Sequence, residues 1–179
     1  MSFQLLIDNI KTNSLNSESI TGSSAIIGDA ELNPEINSNQ LIFSNGSFST
    51  KGDAQTSLFI LRGESFNDSL TELYLDGISA KLVLKNNTSY FFNVKLLGRD
   101  NIGNTVAMVV DGAAKRGANA STVKLIGSPH TRLINDEIGV GEMKFDVNIA
   151  NGSLKFYIVG KNSTNIRWIA RVELSELNF

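Results

Sequence analysis

The chain has 179 residues, no cysteine, a formal net charge of −2, and 41% hydrophobic and 19% charged residues. That length suits one ordinary domain with some chain left over, and the composition excludes a typical disordered protein. The lack of cysteine excludes disulfides, thiolate metal ligands and thiol nucleophiles, and a pI near 5.4 supplies no overall basic field for binding nucleic-acid phosphates.

At the N-terminus the short apolar run Phe3 to Ile7 has no basic residues before it and is closed by Asp8, so no secretion signal is expected. No later apolar stretch approaches the roughly 20 residues a membrane helix needs, so membrane insertion is not expected. Up to about residue 50, Ile20, Ile26, Ile27, Leu32, Ile36, Leu41, Ile42 and Phe43 lie among Ser, Asn and Thr with neither helical nor strand period. This segment reads as an extended N-terminal arm, stalk or attachment element that completes its packing on another chain, with a loosely ordered leader as the alternative.

From Gln55 the strand pattern sharpens. Ser57 to Gly63 and Thr71 to Gly77 are short apolar runs ending at turn residues, and Phe92, Val94 and Leu96 alternate with Asn93 and Lys95. Val106, Met108 and Val110 repeat that alternation. Met143, Phe145, Val147 and Ile149 lead into Asn151-Gly152, after which Leu154, Phe156 and Ile158 resume, which predicts a hairpin closed by a type I′ turn. Ile166, Trp168, Ala170, Val172 and Leu174 alternate with Arg167, Arg171 and Glu173 in a further strand, where a buried Trp168 needs an acceptor for its indole N–H. Seven or eight short strands without a helical stretch give an all-β fold: an antiparallel β-sandwich over residues 51–179, jelly-roll-like, with a small barrel as the alternative.

Little here equips the chain for chemistry. His130, the sole histidine, lies in the turn-like stretch Gly127-Ser128-Pro129-His130-Thr131, and no Gly-x-Ser-x-Gly elbow occurs. Zinc would need several His or Cys ligands, and no Asp-x-Asp-x-Asp-Gly calcium loop is present. Asp53, Asp68, Asp76, Asp100, Asp111, Asp136 and Glu137 lie mostly beside turn residues, and turn chemistry accounts for them more simply than a pair of catalytic acids. Gly139-Val140-Gly141 and Gly160-Lys161 lack a full phosphate-binding fingerprint and read as strand-end turns. The expectation is therefore no enzyme, no catalytic residue, no cofactor and no metal. Tyr74, Tyr90, Phe91 and Tyr157 read as aromatics on strand faces opposite the core, suited to a subunit contact or to stacking on a sugar. Arg62, Asp76, Arg167 and Arg171 adjoin apolar strand positions, where they could pair at a sheet edge or subunit seam or remain solvated.

Gly52-Asp53-Ala54-Gln55, Leu61-Arg62-Gly63, Glu72-Leu73-Tyr74-Leu75-Asp76-Gly77 and Ile166-Arg167-Trp168-Ile169-Ala170-Arg171-Val172-Glu173 together resemble a domain of tailed-bacteriophage virion structural and tail-fibre-like proteins. The resemblance covers about residues 48 to 177. It implies a β-rich, non-enzymatic virion component, assembled in the host bacterial cytoplasm, that meets other virion proteins and forms a homo-oligomer, with a trimer favoured. It carries over no catalytic residues. A longer stalk often precedes the domain in that family, whereas about 50 residues and a faint echo at Gly28-Asp29-Ala30 precede it here. A short fibre, a tail or neck piece or a capsid decoration protein fits that length. A receptor- or glycan-binding module, with a host surface glycan as partner, is the alternative.

Overall fold

The computed structural model describes residues 24–36 and 40–179. Apart from one turn of 3-10 helix at Ala120–Thr122, the regular structure of those residues is all strand. Seven strands form the larger sheet: β1 (Ser24–Gly28), β2 (Gln40–Ser44), β3 (Ala54–Ser65), β6 (Thr88–Asp100), β7 (Thr105–Arg116), β8 (Lys124–Asp136) and β11 (Ile166–Asn178). Their spatial order is β1-β2-β3-β11-β6-β7-β8. In the smaller sheet β10 (Ser153–Val159) is central, with β9 (Met143–Asn148) on one edge and the short β4 (Leu70–Glu72) and β5 (Leu82–Val83) sharing the other. The two layers make the expected sandwich. All pairings are antiparallel except β1 with β2, which run parallel.

Four neighbouring strands of the larger sheet alternate between buried and open positions along most of their length. In β6, Tyr90, Phe92, Val94 and Leu96 are buried, and in β11 Ile166, Trp168, Ala170, Val172 and Leu174 match them across the ladder. A period of two puts all of these on one face, and the smaller sheet covers it with Met143, Leu154, Phe156 and Ile158. Phe92, Phe145 and Phe156 meet there, the first two stacked at 5.7 Å and Phe156 edge-on to both.

Two large rings fit because glycine stands opposite them. Trp168 pairs across the ladder with Gly98, where an added Cβ would come within 2.5 Å of the indole. Phe92 pairs with Gly112, where a Cβ would overlap the ring. The Trp168 indole N–H donates to Ser65 Oγ at 2.9 Å, the acceptor that burial of this ring demands.

At one end of the sandwich the buried face becomes polar. Glu176 accepts from Ser57 Oγ and from Gln55 Nε2 (3.1 Å), with Lys85 Nζ 3.5 Å away. The stretch between β1 and β2 covers this end: Gln55 exchanges two hydrogen bonds with the Glu31 backbone, Arg116 donates to Glu35 Oε2 at 2.8 Å, and Ala30 and Ile36 are buried. Of the segment expected as an arm, residues 24–36 and 40–50 thus add two strands and this cover. Residues 1–23 and 37–39 lie outside the described residues.

Two local expectations need correction. The β9–β10 hairpin is present, but Asn148 pairs with Ser153, which leaves four residues in the loop instead of a two-residue Asn-Gly turn. Only Gly152 of those four has positive φ (74°), whereas type I′ needs two such residues. The Asn148 side chain accepts from Ala150 N and the Asn148 carbonyl from Gly152 N, closing the wider loop and leaving Ile149 exposed. His130 lies not in a turn but in β8, opposite Asp111. β8 is an edge strand with register shifts facing Gly112, so Pro129 interrupts no ladder that the sheet depends on.

Trp168→Ala is expected to lower the unfolding free energy by about 3 to 5 kcal/mol, and Gly112→Ala by about 1 to 3 kcal/mol through overpacking. Chemical denaturation measures both. A Gly112→Ala loss below about 0.5 kcal/mol would mean that Phe92 moves aside at little cost.

Candidate functional site

Most of the acids singled out in the sequence organise turns. The Asp53 carboxylate accepts from the backbone N–H groups of Phe48, Ser49 and Thr50 at 2.7–3.0 Å. Asp76 does the same for Ile78, Ser79 and Ala80, and Asp100 for Ile102 and Asn104. Asp136 accepts from Gly139, Val140 and Gly141 at 2.7–2.9 Å, so the glycine-rich stretch that mimics a phosphate cradle already holds a carboxylate of its own chain. Asp68 is bonded by Asn162, Asp111 by Asn93, and Glu137 by Thr105. Lys161 donates to the Ile138 carbonyl.

These turns leave electrostatic traces. The Thr50 and Ser49 amides hold Asp53 at about 2, and the Ser79, Ile78 and Ala80 amides hold Asp76 at about 2. Burial pushes Asp136 upward, but its three backbone donors outweigh that and keep it below the usual range. Glu176 goes the other way: burial raises it against the pull of Lys85, Ser57 and Gln55.

The aromatics separate into three environments. Tyr90 is a correction: it is 3% exposed and belongs to the core, its hydroxyl accepting from Lys85 N at 2.7 Å. Residues 90, 92, 94 and 96 share one parity, so Tyr90 must follow Phe92 inward. Tyr74 and Tyr157 are half-buried at the smaller sheet, with Lys81 Nζ 5.5 Å from one ring centre and Lys155 Nζ 5.9 Å from the other. Glu72 accepts from the Tyr74 hydroxyl and pairs with Lys81 at 3.4 Å, so this group is internally satisfied.

Phe91 lies on the outer face of the larger sheet, which no described layer covers. Register assembles that face from residues far apart in sequence. Ile169 stands between Arg62 and Leu97; Arg171 between Ile60 and Lys95; Arg167 between Glu64 and Arg99. Ile60, Leu97 and Ile169 are 45–48% exposed and Phe91 is 53% exposed. Of the charges marked in the sequence, Arg167 pairs with Glu64 and Arg171 with Glu173, all four exposed, while Arg62 donates to the Asp76 backbone carbonyl and not to its carboxylate. Lys95, which alternation sets opposite the core positions Phe92, Val94 and Leu96, joins the same face through β6, and reasoning from sequence missed Arg99 and Arg132, which join it through β6 and β8.

No family model matches the chain, and no curated protein matches it. Among solved structures it is similar to the tailspike protein gp49 of the Acinetobacter baumannii bacteriophage Fri1, a capsular polysaccharide depolymerase. That likeness has 13% identity and a TM-score of 0.40, and covers 68% of this chain and 17% of that one. This chain thus spans a small part of that tailspike's length. Among the described residues no helix is long and apolar enough to cross a membrane, and no three His, Asp or Glu side chains converge on a common point.

The Asp turns generate a pH dependence of definite sign. Because Asp53 and Asp76 are held near 2 in the fold against an ordinary value of 3.8, their stabilising contribution is complete above about pH 4 and is lost as the pH falls through about 2. Urea midpoints should therefore drop across that window, and Asp76→Asn should remove part of the drop.

Proposed function

We propose that the chain is a non-catalytic structural module of a tailed-bacteriophage particle, acting through protein–protein assembly, with residues 1–50 as its attachment segment. The observation that carries this reading is the outer face of the seven-stranded sheet: Ile60, Leu97, Ile169 and Phe91 stand exposed among arginines, with no layer over them among the described residues. A sheet with one face on the core and the other in water ordinarily presents polar residues there, and exposed apolar side chains grouped on one face mark an interaction surface. The sequence resemblance to virion structural proteins adds the setting.

Glycan binding has less support. The lysines over Tyr74 and Tyr157 occupy positions where a sugar would stack, and displacing them would break the Glu72–Lys81 pair. A non-catalytic role accords with Asp53, Asp76, Asp100 and Asp136 each being committed to backbone amides of a turn.

The full chain is expected to form a homo-oligomer, a trimer of about three times 19.4 kDa, read by light scattering, and to be found in purified phage particles. A chain that stays monomeric and never co-purifies with particles overturns the proposal.

A further inference from the structure

The outer face contains a conflict between local stability and sequence. Three pairs of residues with the same charge stand directly opposite one another across the described ladders: Arg99 with Arg167, Lys95 with Arg171, and Lys115 with Lys124. All three pairs are cationic and all lie on this face. No two carboxylates are opposed anywhere in the described ladders. Like charges directly across a strand pair are destabilising. Glu64 and Glu173 answer Arg167 and Arg171, which leaves Arg99, Lys95, Lys115 and Lys124 as the cations of these pairs in excess, and a local rule only partly compensated marks a place where another demand has prevailed. Among the described residues the side chains of Lys95, Arg99 and Arg132 have no hydrogen-bond or ion-pair partner.

Spacing shows what would relieve the conflict. Along β11 and β6 the face reads cation pair (Arg167, Arg99), apolar pair (Ile169, Leu97), cation pair (Arg171, Lys95). The steps are two residues each, about 6.8 Å. A partner strand laid roughly along these two meets them with carboxylate, apolar and carboxylate side chains at its own positions i, i+2 and i+4, the geometry of two aligned sheet faces. Arginine predominates over lysine in this band and alternates with large aliphatic residues, the composition of a protein contact.

We propose that this face docks a sheet surface of a different protein, one that presents alternating carboxylate and apolar side chains. The inference deepens the assembly reading and rests on it. Two copies of this chain meeting through this face would bring two cation-rich surfaces together, which favours an acidic partner over a second copy as the occupant.

The test uses the full chain and a cyclic hairpin peptide with Glu-x-Leu-x-Glu on one face, beside a Lys-x-Leu-x-Lys hairpin, an oligothymidylate and hyaluronan as competing probes. The acidic hairpin is expected to bind and to weaken about tenfold or more when salt rises from 0.05 to about 0.5 M. Lys95→Glu and Arg99→Glu should each raise the melting temperature by about 1 to 2 °C, because each turns a like-charged pair into an opposite one. The double variant should lose the acidic hairpin at least about tenfold and gain the basic one. That separation of stability from binding is something a purely structural role would not produce. No binding of the acidic hairpin, or equal binding by the double variant, overturns the proposal. So does tighter binding of oligothymidylate or hyaluronan through the same residues, or a light-scattering mass that drops in the double variant, which would make a second copy the occupant. These readouts concern the face alone, so they can fail while particle incorporation succeeds, and the reverse.

Discussion

Parity is the constraint on which the structure depends. Over twelve or thirteen residues in each of β3, β6, β7 and β11, every second side chain is committed to one face, and the four strands are held in a common register. A one-residue slip in any of them would send Trp168, Phe92 or Phe59 into water and bring charges inward, so core and outer surface are fixed by the same choice. The glycines at 98 and 112 belong to that choice, because they leave room for a ring only in the register observed. The outer face is therefore what remains once the inner one is satisfied.

The acids express a second economy of design. Four aspartates each organise a turn by gathering backbone amides onto one carboxylate, which lets a chain with only two prolines turn sharply between long strands. The Gly139 to Gly141 nest shows why short glycine motifs mislead: its amides do converge on an anion, but the anion is Asp136, three residues upstream of the first glycine.

Legibility in the sequence follows the range of the interaction. Period-two alternation alone revealed β6, β7, β9, β10 and β11, and it required a partner for the Trp168 indole that Ser65 supplies. Tyr90 reads outward by chemical type, although parity with Phe92 puts it inward. The hairpin turn is not legible because the wider loop is closed by bonds that Asn148 accepts, on its side chain from Ala150 N and on its carbonyl from Gly152 N, which the Asn-Gly dipeptide does not display. β8 carries Gly127 and Pro129 and has no alternation to read; only its edge position makes such a strand tolerable. The outer face was the least legible. Lys95 and Arg171 are neighbours only through register, which a single sequence does not display, and each alone looks like ordinary surface charge.

The placement of β11 has a consequence for how the chain reaches this state. It lies between β3 and β6, pairing with residues about a hundred positions earlier on one side and more than sixty earlier on the other. Contacts of such separation slow folding, since much loop entropy is lost before they form. During synthesis β3 and β6 emerge well before residues 166–178, and until those arrive both present open edges flanked by Phe59 and Phe92. Unpaired edges of this kind recruit other strands, so the interval before β11 arrives is the stage at which this fold is most open to mispairing.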